Sequence, residues 1–552
     1  MKYPSFPFAA QLRSAGILLL FLFTTYASAQ KYTHVDTLRG ALRPERMYDV
    51  KFYDLDVEVD IDNHYIRGTN TIWYVPADNT SRIQVDLFAN LKVAAVTDAA
   101  GKPLSYTRDG NALFITPPAM DRKMMRIVIA YEGQPVEANN PPWDGGFVWK
   151  KDQRGNPWVG VSCEGIGASL WWPNKDHLSD EPDSMSIHVT VPSDLVAVCN
   201  GNLRSKDVLG TKTRYNWFVS YPVNNYNVTL NIGKYEHFKE SYSGSEGAYD
   251  LDYYVLNYNL DKAKLHFRQV KPMLDCYEKY LGPYPFPRDG FALVEAPYLG
   301  MEHQGAIAYG NEYLPGYAGF DYSFLNLDFD YIIIHETGHE YWGNSVSMQD
   351  IADMWIHEGF CTYSEALYVE CLHGPDTALK YCNSWKYRVV NDKPVIGDYN
   401  VNNEGSSDMY YKGALMLHTL RWLVNDDALW FALIRDIQKD FRFKNTNTEE
   451  LVAYMNAKLG KDYTWLFNQY LRRQSPPVLD YKLKQKGKDL EVTLKWDAVG
   501  DDFRLPVQIT KAPGKFETVY PTRAPQKFLL RDMTVNDFMV DEMHAYFIIK
   551  YE

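Results

Sequence analysis

Cysteine is scarce in this sequence, and the few cysteines present are not spaced in pairs. Only 6 of 552 residues are cysteine, and no two of them form a Cys-x-x-Cys pattern. This scarcity excludes a fold organised by a disulfide framework, and it excludes a zinc site built from cysteines. One or two disulfides are compatible with the count, and the sequence leaves open which cysteines pair.

Basic charge is also in short supply. The chain carries 57 Lys and Arg against 70 Asp and Glu, for a formal net charge of −13, and it has no run of basic residues. Nucleic acid is therefore excluded as an expected partner. The acidic balance is typical of a surface that keeps a globular protein soluble.

Long apolar runs are missing everywhere except at the N-terminus. Residues 15–26 are apolar, follow the positive charges of Lys2 and Arg13, and precede the small residues Ala-Ser-Ala at 27–29. The run is short for a bilayer span, and the pattern predicts a signal peptide over residues 1–29. The alternative is an uncleaved membrane anchor. With no later transmembrane span, we expect an exported protein, periplasmic or extracellular.

Alternating apolar residues predict β structure at both ends of the mature chain. Leu55, Val57 and Val59 alternate with acidic residues, which is typical of a half-buried strand, and similar strands continue to about residue 235. We therefore predict an N-terminal antiparallel β domain over residues 30–235. After a Gln-Ser-Pro-Pro linker, renewed alternation predicts a small C-terminal β-sandwich over residues 475–552.

The pattern His-Glu-Thr-Gly-His at residues 335–339 is the strongest chemical signal. Histidines four residues apart lie on one face of a helix, so both can bind one metal ion, and the intervening Glu336 lies beside that ion. This arrangement suits zinc, a water molecule and a carboxylate base. A pattern this short also arises by chance, but residues 328–334 place acids before an apolar run. They predict a buried helix that ends near Gly343.

A zinc ion of this kind needs a third protein ligand, and Glu358 is the candidate. Residues 353–360 open a second predicted helix, with Asp353 as its N-cap. An antiparallel helix pair can bring Glu358 to the same metal as His335 and His339. The alternative interpretation is an ordinary exposed glutamate. Glu365, two turns later, is predicted to support one of the zinc histidines.

The His-Glu-x-x-His pattern with the glutamate that follows it, together with three further motifs, resembles the gluzincin aminopeptidases of the aminopeptidase N group. The residues after the second histidine, Glu-Tyr-Trp-Gly-Asn at 340–344, are similar to that family's extended motif. Gly-Met-Glu-His at 300–303 resembles its Gly-x-Met-Glu-Asn motif, with His303 in place of asparagine. Tyr-Tyr-Lys-Gly at 410–413 resembles its Tyr-x-Lys-Gly motif. The resemblance implies a multidomain α+β protein with a thermolysin-like mixed α/β catalytic domain, which we place at residues 236–474.

The resemblance also implies a catalytic role for each matching residue. One Zn²⁺ ion would be held by His335, His339 and Glu358, with Glu336 as general base. Tyr410 would donate its hydroxyl to the developing oxyanion, although the neighbouring tyrosine at 411 competes for that role.

Further residues would recognise the substrate. Glu302 and Glu164 would hold the free amino terminus of a peptide, and Gly300 and Met301 would offer backbone groups. The alternative for Glu164 is a solvated loop glutamate. The sequence thus predicts a zinc-dependent aminopeptidase. Two other readings stay open: an endopeptidase with an open cleft, and an exported binding protein without catalysis.

Overall fold

The computed structural model describes residues 32–77, 81–117, 123–512 and 514–551. The predicted signal peptide at residues 1–29 lies outside these ranges. Within them, no helix combines the length and the apolarity that a membrane crossing needs.

The N-terminal region is built from strands, as the alternating pattern predicts. Its elements are α1 His34–Gly40, β1 Asp49–Asp60, β2 Tyr65–Val75, β3 Ile83–Asp86, β4 Lys92–Asp98, β5 Ser105–Asp109, β6 Ala112–Thr116, β7 Met125–Gly133, β8 Gly146–Lys151, β9 Pro157–Ser162, β10 Ser184–Pro192, β11 Val196–Cys199, β12 Asn202–Leu209, β13 Lys212–Val219 and β14 Leu230–Gly233. They form sheets in the orders β12-β13-β10-β1-β2-β7-β4, β11-β14-β9-β8 and β3-β6-β5.

The large sheet of this region is mixed rather than purely antiparallel. Strands β1 and β2 pair antiparallel, but β1 and β10 pair parallel, with Leu55 opposite Ile187. The prediction of an antiparallel domain is therefore wrong for this one pairing. It arose because period-two alternation shows which face of a strand is buried but not the direction of its neighbour. The predicted inward side chains Leu55, Val57 and Val59 are buried.

The middle region combines a five-stranded sheet with most of the helices. Its elements are β15 Tyr235–Gly244, β16 Gly247–Leu256, α2 Leu260–His266, α3 Val270–Tyr280, β17 Phe291–Glu295, β18 Gly300–Met301, β19 Ile307–Tyr309, α4 Tyr331–Tyr341, β20 Val346–Met348, α5 Trp355–His373, α6 Pro375–Ser384, α7 Tyr411–Val424, α8 Asp427–Asp440, β21 Lys444–Thr446, α9 Thr448–Leu459 and α10 Thr464–Leu471. The sheet order is β15-β16-β17-β19-β18, so β18 lies at one edge.

Strand β16 lies inside this sheet, because it pairs with β15 on one side and with β17 on the other. The edge position that matters for the site belongs to β18, whose only two residues, Gly300 and Met301, pair with β19.

A disulfide joins two helices of the middle region. Cys276 on α3 is bonded to Cys371 on α5, 95 residues later in the chain. The other four cysteines, Cys163, Cys199, Cys361 and Cys382, are buried and free.

The C-terminal region is again made of strands. They are β22 Val478–Lys486, β23 Asp489–Asp497, β24 Val507–Ala512, β25 Lys515–Val519, β26 Gln526–Leu530 and β27 Ile548–Tyr551. Four of them form a sheet in the order β26-β23-β22-β27, and β24 pairs with β25. The apolar residues Leu490 and Trp496 join the same core as the middle region. The domain limits at 235 and 474 stay predictions.

Candidate active site

Helix α4 presents the two histidines of the motif. Asp330 caps its first turn by accepting a hydrogen bond from the Ile332 backbone N–H at 2.9 Å. The predicted burial of this helix is found, since His335 and His339 are 6% and 1% exposed. The helix ends at Tyr341, two residues before the predicted stop at Gly343.

Helix α5 presents Glu358 but begins differently from the prediction. Asp353 is not its N-cap, because a short 3-10 turn at Ile351–Asp353 precedes the helix and Asp350 caps that turn. The Asp353 carboxylate instead accepts hydrogen bonds from Thr448 and Tyr399, far along the chain. Thr448 and Tyr399 are far from Asp353 in sequence, so the residues around Asp353 do not indicate them. The local pattern alone therefore favoured an N-cap.

The three predicted ligands meet, with their ligand atoms within 4.8 Å of one another, and Glu358 has the spacing to both histidines that a tetrahedral ion requires. Glu358 Oε2 lies 3.3 Å from His335 Nε2 and 3.5 Å from His339 Nε2. Ligand atoms about 2.0–2.2 Å from a tetrahedral zinc ion are separated by roughly 3.3–3.6 Å. Glu358 Oε2 is buried and makes no hydrogen bond of its own. The residues therefore fit one zinc ion.

The Nδ1 atoms of both histidines have hydrogen-bond partners within the protein. His335 Nδ1 lies 2.8 Å from Glu365 Oε1, and His339 Nδ1 lies 3.0 Å from the Trp342 carbonyl oxygen. Both acceptors place the proton on Nδ1, which leaves the Nε2 lone pairs facing Glu358. Glu365 is itself held by the Tyr381 hydroxyl, which donates to Oε2 at 2.7 Å.

The two glutamates beside the histidines differ in charge state. Burial raises the pKa of Glu358, but His339 and His335 outweigh it and hold that pKa below its ordinary value. Burial also raises the pKa of Glu336, and here it prevails over the same two histidines. Two carboxylates whose pKa values are pushed apart are suited to different tasks. Glu358 stays an anion, whereas Glu336 can take up a proton.

Gly300 leaves room for the side chain of Glu336. A Cβ at Gly300 would lie 2.8 Å from Glu336 Oε1 and 2.7 Å from an Ile332 methyl group. A side chain at residue 300 would force Glu336 or Ile332 to move, so glycine suits the close approach of β18 to helix α4. Glu336 also belongs to a group with His339 and Glu302, whose ligand atoms lie within 4.8 Å of one another.

Two further glycines bring Tyr410 to the metal ligands. A Cβ at Gly413 would lie 3.2 Å from the Gly359 Cα, so helices α5 and α7 cross in close contact at these residues. Tyr410 immediately precedes α7, and its ring stacks 6.1 Å from that of His335. Burial and then the Glu358 carboxylate raise the pKa of Tyr410, which keeps its hydroxyl protonated and able to donate.

Glu302 follows the edge strand and is almost completely buried. The Tyr226 hydroxyl donates to Glu302 Oε1 at 3.1 Å, and Asn344 Nδ2 donates to the Glu302 carbonyl oxygen at 2.9 Å. Sequence reasoning missed both partners. Asn344 was visible as the last residue of the extended histidine motif, but Tyr226 comes from the N-terminal region and had no such signal.

His303, the residue that departs from the family pattern, lies next to Glu302. Its ring is fully buried, and neither ring nitrogen has a hydrogen-bond partner. Burial lowers the pKa of His303 to about 3, so the ring is neutral.

Glu164 reaches the same space from the N-terminal region. It lies in the turn after β9, where Gly165 and Gly167 have φ values of 70° and 101°. Arg39 of α1 donates to the Gly165 carbonyl oxygen at 2.7 Å and so braces this turn. Burial, and then the Glu302 and Glu358 carboxylates, raise the pKa of Glu164. One of its carboxylate oxygens is buried without a hydrogen-bond partner.

Comparison with protein families gives the class of this domain. Residues 265–470 match the peptidase family M1 domain. The matched segment contains all three predicted metal ligands as well as Glu302, Glu336 and Tyr410. This part of the chain is thus similar to the M1 peptidase domain, which agrees with the resemblance to the gluzincin aminopeptidases drawn from its motifs.

Curated relatives are longer than this chain. Aminopeptidase M1-D of Oryza sativa subsp. japonica is 24% identical over 329 residues, which cover 57% of this chain and 37% of the relative. Endoplasmic reticulum aminopeptidase 1 of Mus musculus is 25% identical over 227 residues, which cover 39% of this chain and 24% of the relative. The chain spans well under half the length of these relatives.

Solved structures share the fold over most of the chain. An M1 zinc metallopeptidase mutant from Deinococcus radiodurans, bound to a Tyr-Ser-Ala substrate, superposes with a TM-score of 0.64 at 20% identity. The match covers 78% of this chain and 95% of that one. A two-domain M1 zinc metallopeptidase mutant bound to L-tryptophan superposes with a TM-score of 0.65 at 22% identity. At these identities the likeness concerns the fold.

Proposed function

We propose that this protein is a zinc-dependent aminopeptidase that removes the N-terminal residue of peptides. The proposal rests on one observation: the three side chains that are spaced for a zinc ion lie next to two further carboxylates. His335, His339 and Glu358 are spaced for one ion, and Glu302 and Glu164 face the same space. No lysine or arginine among the described residues lies within 4.0 Å of Glu302 or Glu164. A cationic group of the substrate is the natural partner for them.

The proposed chemistry divides between the metal and the protein. A zinc ion held by His335, His339 and Glu358 supplies Lewis-acid activation of water at neutral pH. Glu336 takes the proton of the attacking water and hands it to the amine that leaves. The Tyr410 hydroxyl donates a hydrogen bond to the oxyanion that develops on the scissile carbonyl.

The two remaining carboxylates fix the position of the cut. A protonated α-amine is attracted by Glu302 and Glu164, whereas a backbone carbonyl is repelled by them. Holding the amine at a fixed distance from the metal ligands limits hydrolysis to the first peptide bond. The solved neighbour that is bound to a Tyr-Ser-Ala substrate supports a short peptide as the substrate class.

A pair of peptides tests this proposal. One peptide is assayed with a free amino terminus and with an acetylated one, and we expect turnover of the free form only. Because an α-amine loses its proton near pH ~8, kcat/KM for the free peptide should fall above that pH. Equal cleavage of both forms would favour an endopeptidase. Zinc binding without cleavage of either form would favour a binding protein.

Substitutions test separately the two glutamates that are proposed to bind the amine. Glu302→Ala should lower kcat/KM strongly, and Glu164→Ala should lower it less, since Glu164 rests on the looser motif match. Glu312→Ala is the matched control, because Glu312 is exposed and its described contact uses only its backbone. A control loss as large as the loss at Glu302 would contradict the assignment.

We also propose that the protein is exported and that residues 1–29 are removed. The Cys276–Cys371 disulfide supports this, because disulfides persist in oxidising compartments. The mass of the protein recovered outside the cytoplasm should correspond to a chain that starts at Gln30. Recovery of the uncleaved chain in membranes would favour the anchor instead.

A further inference from the structure

A second hollow lies beside Tyr331, whose ring stacks on the metal ligand His335, and Glu164 is not part of its lining. We call it the downstream hollow and define it by Tyr317, Phe320, Tyr322, Tyr331, Arg388 and Tyr411. Its enclosed part is small, about 30 Å³, and the rest of it is open to solvent. The cavity beside Glu164 and Tyr226 is a different one, lined by residues of both the N-terminal and middle regions. One hollow therefore lies near the proposed amine anchor, and another lies beside His335.

Aromatic contacts lead from a metal ligand into the downstream hollow. The Tyr331 ring stacks on His335 at 5.2 Å between centroids, Tyr317 lies 5.5 Å from Tyr331, and Tyr322 lies 6.0 Å from Tyr317. The guanidinium of Arg388 lies 4.3 Å from the centre of the Tyr322 ring. These rings form one wall of the hollow.

A second series of ring contacts leads from Arg388 back to the metal site. The Arg388 guanidinium lies 4.5 Å from the centre of the Tyr411 ring. The Tyr411 and Tyr410 rings are 6.4 Å apart, and Tyr410 lies 6.1 Å from His335. Arg388 is thus clamped between two aromatic faces, which fix its position without using its hydrogen-bond donors.

Arg388 has no anion of its own. Among the described residues, no carboxylate lies within 4.0 Å of it, and its side chain is only half-buried. Asp321 also lines the hollow, but its oxygens accept hydrogen bonds from Ser323 and from the Leu327 backbone N–H. A fixed arginine with free N–H groups is a receptor for a carboxylate, which it can bind through two parallel hydrogen bonds.

We propose that Arg388 binds the C-terminal carboxylate of a short peptide whose amino end is held at Glu302 and Glu164. This inference rests on the proposed aminopeptidase function and adds a preference for short peptides with a free C-terminus. The three steps from His335 to Arg388 by way of Tyr410 and Tyr411 set an upper limit on the distance. An extended chain advances about 3.3–3.6 Å per residue. No more than about five residues beyond the cut are therefore needed to bring the carboxylate to Arg388.

The test compares peptides that differ only at the C-terminus. Leucyl peptides of two to eight residues are assayed as free acids and as C-terminal amides, with leucine p-nitroanilide as a substrate without a carboxylate. We expect the wild type to favour the acid over the amide by about 10- to 100-fold in kcat/KM, mainly through KM, at a length of no more than about six residues in total. The preference should shrink in longer peptides.

Variants assign that preference to the arginine. Arg388→Gln should reduce the ratio of acid to amide to near one, Arg388→Lys should keep part of it, and Arg435→Gln, at an exposed position on α8, should keep all of it. Equal cleavage of acid and amide by the wild type, or an unchanged ratio in Arg388→Gln, would overturn the inference. In that case, hydrolysis of the p-nitroanilide by the wild type would still support the proposed function. Failure of the inference about Arg388 can therefore be told apart from failure of the proposed function.

Discussion

Replacing Glu365 by glutamine should weaken zinc binding without removing any metal ligand. The Glu365 carboxylate lies 2.8 Å from His335 Nδ1 and is fully buried. It favours the tautomer that keeps the Nε2 lone pair directed at the metal position. An amide at residue 365 is neutral and can also turn its NH₂ group towards the ring, which favours the wrong tautomer.

The size of the effect follows from the place of Glu365 in the site. Loss of a partner that orients a metal-ligating histidine typically weakens metal binding 10- to 100-fold. At 1.36 kcal/mol per factor of ten, this is about 1.4–2.7 kcal/mol. The substitution should raise the Kd for zinc and leave the chemical step unchanged. The kcat at saturating zinc should therefore stay within a few-fold of the wild type.

Competition with a chromophoric chelator gives the zinc Kd, and turnover at a series of free zinc concentrations gives kcat. Tyr381→Phe removes a hydrogen bond to the same carboxylate and should have a smaller effect. Glu370→Gln on the same helix is the matched control, because Glu370 pairs with Arg421. An unchanged zinc Kd in Glu365→Gln, or a loss of kcat that excess zinc does not restore, would refute the reasoning.

Three further predictions concern other residues of the site and its helices. Glu336→Gln should bind zinc and lose turnover, because an amide cannot take the proton of water; a zinc-free variant in metal analysis would contradict this. Tyr410→Phe should lower kcat roughly 10²–10³-fold with little change in KM, and steady-state kinetics that put the larger loss on Tyr411→Phe would move the role to Tyr411. Cys276→Ser should lower the free energy of unfolding by about 2–5 kcal/mol, since the bond to Cys371 closes a long loop; equal melting temperatures for variant and wild type would argue against it.

Local patterns were sufficient to predict the helices that carry the ligands. The i, i+4 spacing of His335 and His339 and the apolar residues before them depend on helical periodicity, which is a property of neighbouring residues. The strand at 490–496 was predictable for the same reason. The motif match, rather than periodicity, indicated Tyr410 and Glu302.

The features that sequence missed all depend on contacts between distant segments. Asp353 binds side chains far along the chain, so its resemblance to a cap was misleading. Tyr226 reaches Glu302 from another region, and the pairing of Cys276 with Cys371 depends on how α3 lies against α5. The clamp on Arg388 is formed by tyrosines from two separate segments. None of these partners can be read from a window of neighbouring residues.

The Cys276–Cys371 bond has a consequence for a chain that has been cut. All three proposed zinc ligands lie between the two cysteines in sequence. The segment that carries Phe320 and Phe324 also lies there, and it exposes both side chains to solvent. Exposed segments of this kind are where proteases nick folded proteins. A nick there would leave two fragments held together by the disulfide, with His335, His339 and Glu358 all on the second fragment. Such a preparation would run as one band on a denaturing gel and as two after reduction.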